Sequence, residues 1–238
     1  MGTIYQHILK AKTNNDKLLA ILLDPDKLNI ENIEQLSSKI NSSPATHIFV
    51  GGSIVANGAT EQLVIELKKH TSLPIILFPG NTNQVTNKAD GILFLSLLSG
   101  RNPEYLIEQH VKAAPLLQKS DLEIIPTGYI LIEGGVETAV QKVSNTLPIP
   151  QKNSDLAVHT ALAGQYTGKQ LIYLEAGSGA TESVEIETVK AVANAINIPL
   201  IVGGGIRSKN KIEAAYQAGA DLVVIGTAFE NDSDFFKK

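Results

Sequence analysis

The chain has 238 residues, of which 43% are hydrophobic, and its 20 Lys and Arg against 24 Asp and Glu give a net charge of −4 at pH 7. This length allows one α/β barrel or two smaller domains. The absence of cysteine excludes disulfides, thiolate nucleophiles and Cys-ligated metals, and favours a cytoplasmic location. The mild acidity argues against nucleic acid as a partner. Neither a secretory signal pattern nor a transmembrane-length apolar run is found.

Short apolar runs alternate with stretches of helical spacing along the whole chain. Such runs are typical of strands buried on both faces of a parallel sheet. They predict strands over residues 18–23, 47–50, 74–78, 91–95, 122–126, 171–174, 200–202 and 222–225. Helices are predicted over residues 30–40, 61–70, 103–117, 154–166, 183–196 and 209–218. The alternation predicts a single (β/α)8 TIM barrel domain over residues 1–238, with a doubly wound open sheet as the alternative.

Two connections depart from the regular alternation. Residues 79–89 are too few and too rich in turn-forming residues for a full covering helix, so the third helix is predicted to be missing or replaced by a loop. After Pro126, about 28 residues precede the next predicted helix, which is longer than most connections in a compact domain. We therefore expect a functional loop there.

Glycines follow several of the predicted strands, at the end of the barrel where active sites of this fold lie. The segments are 51–53, 177–179, 203–205 and 226–227. Glycine lets the backbone approach a ligand closely, and free N–H groups at a helix start favour an anion. The clusters predict a phosphate site, although tight βα turns would also account for them.

Three polar side chains at strand ends are candidates for chemistry. Asp24 and Ser53 follow the first two strands and together supply oxygen ligands of the kind Mg²⁺ takes when substrate phosphates complete its shell. A helix N-cap is the equally weighted alternative for Asp24 or Asp26. Glu175 ends the sixth strand beside the glycines, which favours a catalytic base over a structural carboxylate.

The chain contains two arginines, Arg101 and Arg207, and both fall in loops that follow strands. Arginine suits phosphate oxygens because its planar guanidinium donates two parallel hydrogen bonds. We predict that both bind substrate, with a surface ion pair as the alternative for Arg101. The five histidines show no metal-ligand spacing.

These residues resemble the geranylgeranylglyceryl phosphate synthase family, which includes the bacterial heptaprenylglyceryl phosphate synthases. The resemblance covers nearly the whole chain. It is carried by the motifs LLDPDK (22–27), FVGGS (49–53), LFPG (77–80), LLSGRNP (97–103), YLEAGSG (173–179), VGGGIR (202–207) and IGT (225–227). Some members have Lys two residues before the metal-binding Asp, whereas Leu22 stands there in this chain, as in the archaeal-like branch.

The resemblance implies a Mg²⁺-dependent prenyltransferase. It would join a polyprenyl diphosphate, geranylgeranyl by preference, to the C3 hydroxyl of sn-glycerol 1-phosphate and release diphosphate. Asp24 and Ser53 would hold Mg²⁺, and Glu175 and Tyr173 would be catalytic, with Glu175 taking the hydroxyl proton. The glycerol phosphate would be bound by Tyr173, Leu174, Glu175, Ala176, Gly177, Ser178, Gly179, Gly204, Gly205, Gly226 and Thr227.

The resemblance also gives the missing third helix a purpose. Without it, an apolar furrow along the side of the barrel would be open to a prenyl tail, and residues 129–132 of the long loop would cover that furrow. The family further implies a homo-oligomer, either a dimer or a hexameric ring of dimers, with peripheral membrane contact through the lipid product.

Two other functions fit the phosphate site. A sugar-phosphate isomerase or lyase would use Asp24 and Glu175 as its acid and base. A non-catalytic phosphometabolite-binding protein would use the glycines alone.

Overall fold

A computed structural model describes residues 2–232 and 235–236 of the chain. Eight parallel strands close into one barrel in sequence order, which confirms the predicted TIM barrel. The strands are β1 (Leu18–Leu23), β2 (His47–Val50), β3 (Ile75–Leu77), β4 (Gly91–Leu97), β5 (Glu123–Leu131), β6 (Leu171–Glu175), β7 (Leu200–Gly203) and β8 (Leu222–Ile225).

Helices cover the outside of the barrel and one of its ends. They are α1 (Thr3–Asn14), α2 (Ile33–Asn41), α3 (Ala59–His70), α4 (Gln109–Leu117), α5 (Ala139–Ser144), α6 (Ser154–Tyr166), α7 (Ile186–Ala195), α8 (Lys209–Gln217) and α9 (Thr227–Asn231). A π-helical turn, Glu104–Glu108, leads directly into α4. Within the described part of the chain, no helix has the length and apolar character needed to cross a membrane.

The core has two parts because successive strand residues point to opposite faces. One cluster lies between the strands and the helices and contains, for example, Ile172 and Leu174. The other fills the barrel interior and contains Tyr173 and Phe49. Every residue of β6 is buried, as a strand covered on both faces requires.

The N-terminal helix α1 closes the bottom of the barrel and was absent from the sequence prediction. Its residues Ile4, Tyr5 and Ile8 are buried in the interior cluster. The carboxylate of Glu123, the first residue of β5, accepts hydrogen bonds from the backbone N–H groups of Ile4 and Tyr5, both at 2.7 Å. These bonds satisfy N–H groups that have no partner within the helix.

The predicted loss of the third helix is confirmed. Between β3 and β4, where every residue is described, the regular structure is limited to a 3-10 turn, Thr82–Gln84. The predicted long loop after residue 126 is wrong at its start, because β5 continues to Leu131 and pairs with β6 as far as Glu175. Residues 129–132 are therefore buried in or beside the barrel wall. The remaining connection contains α5, which begins with a capping box between Thr138 and Gln141.

Candidate active site

A polar cavity opens at the carboxyl ends of the strands. It encloses roughly 1200 Å³ when its open mouth is included. Its wall includes twelve of the residues predicted from sequence to be functional: Asp24, Ser53, Tyr173, Glu175, Gly177, Ser178, Gly179, Gly204, Gly205, Arg207, Gly226 and Thr227. The closed barrel thus brings together residues at or just after the carboxyl ends of β1, β2, β6, β7 and β8.

Glu175 is a buried carboxylate in the wall of this cavity. It is 5% exposed, and its Oε1 accepts a hydrogen bond of 2.7 Å from the backbone N–H of Gly177. Burial raises the pKa of Glu175 above its ordinary value, although the Tyr173 hydroxyl and the Gly177 N–H partly offset this rise. A carboxylate with a raised pKa is suited to accept a proton near neutral pH.

Tyr173 lies inside the barrel, next to Glu175. Its hydroxyl is buried and makes no hydrogen bond of good geometry within the described residues. A Cβ added to Gly203 would lie 2.5 Å from this hydroxyl and 2.7 Å from Glu175 Oε2. Position 203 must therefore be glycine, because any side chain there would clash with both groups. Burial and the nearby carboxylate raise the pKa of Tyr173 well above its ordinary value, which keeps the phenol neutral.

Tyr173 also belongs to a cluster of three aromatic rings. Its ring stacks on Phe78 at a centroid distance of 5.4 Å and meets Tyr129 edge-on at the same distance. Phe78 and Tyr129 are 5.9 Å apart. The faces of such rings carry negative charge density that attracts cations.

The glycine loops adopt backbone conformations that other residues rarely take. Gly177 and Gly179 have φ of 100° and 79°, and Gly204 and Gly205 have φ of 78° and 66°. A Cβ on Gly204 would also lie 2.6 Å from the backbone nitrogens of Ala176 and Gly177. Glycine is therefore required here both for the turn and for the close approach of β7 to the Glu175 loop.

Asp24 and Ser53 emerge side by side, because β1 and β2 are neighbours with Leu23 opposite Val50. The Asp24 carboxylate accepts a 3.2 Å bond from the N–H of Asp26, so the N-cap alternative is correct as a local contact. The same carboxylate lines the cavity and is 21% exposed. Capping one N–H leaves further oxygen lone pairs for a cation.

Lys27 and Glu230 lie at the rim of the cavity, and sequence reasoning assigned neither a role. The ammonium of Lys27 is 3.4 Å from Asp24 Oδ2 and 3.3 Å from Glu230 Oε2. Partial burial alone would lower the pKa of Lys27, but the carboxylates of Glu230 and Asp24 outweigh it and raise the pKa. Lys27 stands within the LLDPDK motif, whereas nothing in the sequence pointed to Glu230.

The segment that replaces the third helix holds the loop that carries Ser53. Gln84 is 1% exposed, and its side-chain amide donates to the carbonyl of Gly52 at 2.8 Å and accepts from the N–H of Gly52 at 3.3 Å. Such a two-way bond fixes the backbone immediately before Ser53. No sequence pattern predicts this contact, because a lone glutamine in a turn has no recognisable signature.

The two arginines occupy different places. Arg207 lines the cavity, and its Nη2 donates to the carbonyls of Gly179 and Ala180 at 3.3 and 2.9 Å. Arg101 is exposed, has φ of 58°, and donates to the carbonyl of Leu98. It is not among the residues that line the cavity, so the structure does not bring it to the other predicted substrate ligands.

Two further predicted ligands, Leu174 and Ala176, point away from the cavity. Both are fully buried among residues between the barrel and the helices. The alternation of the strand that turns Tyr173 and Glu175 inward turns these side chains outward. The sequence prediction took the whole run 173–179 as one unit and did not separate its two faces.

An apolar furrow joins the polar cavity where the third helix is missing. It encloses about 890 Å³ with its mouth included and runs between the 79–85 segment, β4 and α4. Gly52, Ser53, Phe78, Tyr129 and Val140 line both the furrow and the polar cavity. Tyr129 contributes to the furrow from within β5 and does not cover it from a loop, which corrects the predicted covering role of residues 129–132.

The fold and the site together define a TIM-barrel enzyme with a glycine-lined polar cavity that continues into an apolar furrow. The PcrB family model matches residues 11–238. A geranylgeranylglyceryl phosphate synthase of Flavobacterium johnsoniae is 61% identical, over 99% of this chain and 97% of that protein. One of Korarchaeum cryptofilum is 42% identical, over 91% of this chain and 89% of that protein.

Solved structures agree with these sequence relatives. The (S)-3-O-geranylgeranylglyceryl phosphate synthase of Thermoplasma acidophilum, in complex with the substrate sn-glycerol-1-phosphate, superposes with a TM-score of 0.93 at 34% identity, over 100% of this chain and 95% of that one. The chain belongs to the PcrB family and is a prenyltransferase of the geranylgeranylglyceryl phosphate synthase type. This confirms the resemblance read from the motifs and favours the prenyltransferase over the isomerase and the non-catalytic binding protein.

Proposed function

We propose that this protein transfers a polyprenyl group, geranylgeranyl by preference, from its diphosphate to the C3 hydroxyl of sn-glycerol 1-phosphate, with Mg²⁺ as the cofactor. The observation that carries the proposal is the shared wall between the polar cavity and the apolar furrow. A substrate with a diphosphate head and a hydrocarbon tail can occupy both spaces at once, with its reactive carbon at their junction. The preference for geranylgeranyl is supported by the names of the relatives.

The glycine loops are the proposed binding site for glycerol phosphate. Gly179, Gly204 and Gly205 place backbone close to the cavity, and N–H groups in such turns bind anions. The N–H of Gly177 instead donates to Glu175 and holds that carboxylate in place. Arg207 is fixed to two carbonyls of the same loop, which holds a positive charge at the cavity wall. The relative from Thermoplasma acidophilum supports this assignment, since its structure contains sn-glycerol-1-phosphate.

Glu175 is the proposed general base. It takes the proton of the C3 hydroxyl while that oxygen attacks C1 of the prenyl diphosphate. The new C–O ether bond forms as the bond from C1 to the diphosphate oxygen breaks, and the electron pair leaves with diphosphate. Phe78 and Tyr129 line both spaces, and Tyr173 packs against them from the polar cavity. The faces of these rings favour positive charge that develops on the allylic carbon.

Asp24 and Ser53 fit a Mg²⁺ ion that also binds substrate. The described residues contain no group of three His, Cys, Asp or Glu able to hold a metal, so they form no complete set of protein ligands by themselves. One carboxylate and one hydroxyl suit Mg²⁺, which keeps water and takes phosphate oxygens as its remaining ligands. When bound, the ion would neutralise charge on the leaving diphosphate. Asp24 and Ser53 would orient it at the mouth of the furrow.

The proposal is tested by incubating the protein with sn-glycerol 1-phosphate, radiolabelled geranylgeranyl diphosphate and Mg²⁺. Formation of a labelled ether lipid and release of diphosphate are expected. Prenyl diphosphates of other lengths, sn-glycerol 3-phosphate and EDTA provide the comparison arms. Absence of labelled product with every prenyl length would reject the proposed reaction, and equal rates with EDTA would reject the proposed cofactor.

A further inference from the structure

The polar cavity has too few positively charged side chains to balance the negative charge of the substrates proposed for it. Among the described residues that line it, three are acidic, namely Asp24, Glu175 and Glu230, and two are basic, Lys27 and Arg207. Two phosphorylated substrates add several more negative charges. Arg207 gives hydrogen bonds to two backbone carbonyls, whereas the Lys27 ammonium contacts side-chain carboxylates, which a metal ion or another anion can replace as its partners.

Lys27 is held by carboxylates from opposite ends of the chain. Its ammonium contacts Asp24 Oδ2 at 3.4 Å, three residues away, and Glu230 Oε2 at 3.3 Å, in α9. The Lys27 side chain is 47% exposed, whereas the Glu230 side chain is 12% exposed. Ion pairs made by a lysine with this degree of exposure contribute little to folding stability. The ammonium sits on a flexible side chain and has three N–H donors, so it can exchange one partner for another.

The same carboxylate of Asp24 is the proposed Mg²⁺ ligand. An ammonium 3.4 Å from Asp24 Oδ2 and a divalent cation on that oxygen would repel each other, because like charges at such separations interact strongly where solvent is partly excluded. Lys27 must therefore leave Asp24 when Mg²⁺ binds. Glu230 lines the same cavity and supplies a second anchor for the Lys27 ammonium at its rim.

Resting on the proposed function, we infer that Lys27 is a diphosphate-binding residue that neutralises Asp24 until Mg²⁺ replaces it. Glu230 is a positioning residue that keeps the Lys27 ammonium at the rim of the cavity. In the structure Lys27 pairs with both carboxylates. With Mg²⁺ and substrate bound, Asp24 would hold the ion, and Lys27 would stay near Glu230 and donate its freed N–H bonds to a diphosphate oxygen.

Binding measurements test this inference separately from catalysis. Isothermal titration of the full chain with Mg²⁺ alone, and with inorganic pyrophosphate in the presence of Mg²⁺, would be compared for wild type, Lys27→Met and Lys27→Arg. Lys27→Met is expected to bind Mg²⁺ alone about threefold to tenfold more tightly, because the ammonium that competes with Mg²⁺ for Asp24 is absent. It should bind pyrophosphate with Mg²⁺ about tenfold or more weakly because a charge-assisted hydrogen bond is lost. Lys27→Arg should retain most pyrophosphate affinity.

A double-mutant cycle tests the part played by Glu230. Glu230→Gln is expected to weaken Mg²⁺ binding, because Lys27 then pairs with Asp24 alone. This effect should shrink when Lys27 is already Met. Lys190→Met, an exposed lysine on α7, is the matched control and should change neither affinity. Affinity for sn-glycerol 1-phosphate should be the same in all Lys27 variants.

Unchanged Mg²⁺ and pyrophosphate affinities in Lys27→Met, within about twofold, would overturn the inference and reduce these contacts to surface ion pairs. The proposed function would still stand if wild type formed the ether product. Failure of wild type to bind pyrophosphate with Mg²⁺, or to form that product, would instead count against the proposed function on which the inference rests.

Discussion

Replacement of Glu175 by Gln is the sharpest test of the site, because it changes one property of the side chain and little else. Glutamine has nearly the same volume and keeps an oxygen that can accept from the Gly177 N–H, the 2.7 Å bond made by the carboxylate. It cannot accept the hydroxyl proton. The close approach of Gly203 and Gly204 to the carboxylate leaves no space for a larger change, so a matched-size substitution is required.

The expected loss in kcat is roughly 10²- to 10⁴-fold, the contribution of a positioned general base. The KM for sn-glycerol 1-phosphate should change little, since the glycine loops remain. Burial raises the pKa of Glu175, so kcat/KM of the wild type should rise with pH with a midpoint above the ordinary glutamate value of 4.5. In Glu175→Gln this rise should disappear.

Stability supplies a second, independent readout. A carboxyl group whose pKa is raised by folding binds its proton more tightly in the folded state than in the unfolded state. Its contribution is greatest at low pH and is lost as the pH rises through the folded pKa. Glu175→Gln should therefore be at least as stable as wild type at neutral pH, with a flatter dependence of Tm on pH. Glu187→Gln, at an exposed position of α7, is the matched control.

The assay combines single-turnover and steady-state formation of labelled ether lipid with thermal unfolding from acid to neutral pH. A Glu175→Gln variant that keeps kcat within about tenfold of wild type would refute the role of Glu175 as general base. A large loss of both activity and Tm would instead show that the carboxylate is structural.

Further predictions concern the metal, the furrow and the barrel floor. Asp24→Asn should weaken Mg²⁺ binding by about tenfold or more because it removes the charged ligand, and unchanged Mg²⁺ titration would contradict this. Gln84→Leu should weaken Mg²⁺ binding to a smaller degree by freeing the loop before Ser53, with Tm as the control for folding. Thr82→Trp, at a partly exposed furrow position, should shift the preferred prenyl diphosphate to a shorter chain, and an unchanged length profile would argue against the furrow as the tail site. Glu123→Gln should cost about 1 to 3 kcal/mol of unfolding free energy by leaving an α1 N–H group unpaired, which urea unfolding measures.

Local patterns in the sequence predicted much of the fold and part of the site. Unbroken apolar runs marked the strands, and the turn-rich stretch 79–89 marked the missing helix. The same reasoning missed α1, although Ile4, Tyr5, Ile8 and Ala11 have the spacing of one helix face and are all buried. It also missed α5, despite the Thr138 and Gln141 capping box. The helical spacing in α1 and the capping box of α5 are both visible in the sequence.

Other features could not be found from local patterns. Residues 129–132 were predicted to lie in a loop, and only the pairing of β5 with β6 up to Glu175 shows that residues 129–131 belong to the barrel wall. The inward direction of Tyr173 and Glu175 and the outward direction of Leu174 follow from which face of β6 meets the interior. A sequence motif places such residues together without separating them.

The sequence by itself determined the class of fold, the missing helix and the strand ends at which Asp24, Ser53 and Glu175 stand, because period and strand position are local properties. The tertiary structure alone decided that Arg101 lies outside the cavity, that Gln84 fixes the backbone before Ser53, and that Lys27 meets Glu230 from 203 residues away. The Lys27–Glu230 contact depends on closure of the barrel, which brings the first and last strands together. The Gln84 contact depends on how the 79–89 segment packs against the loop after β2.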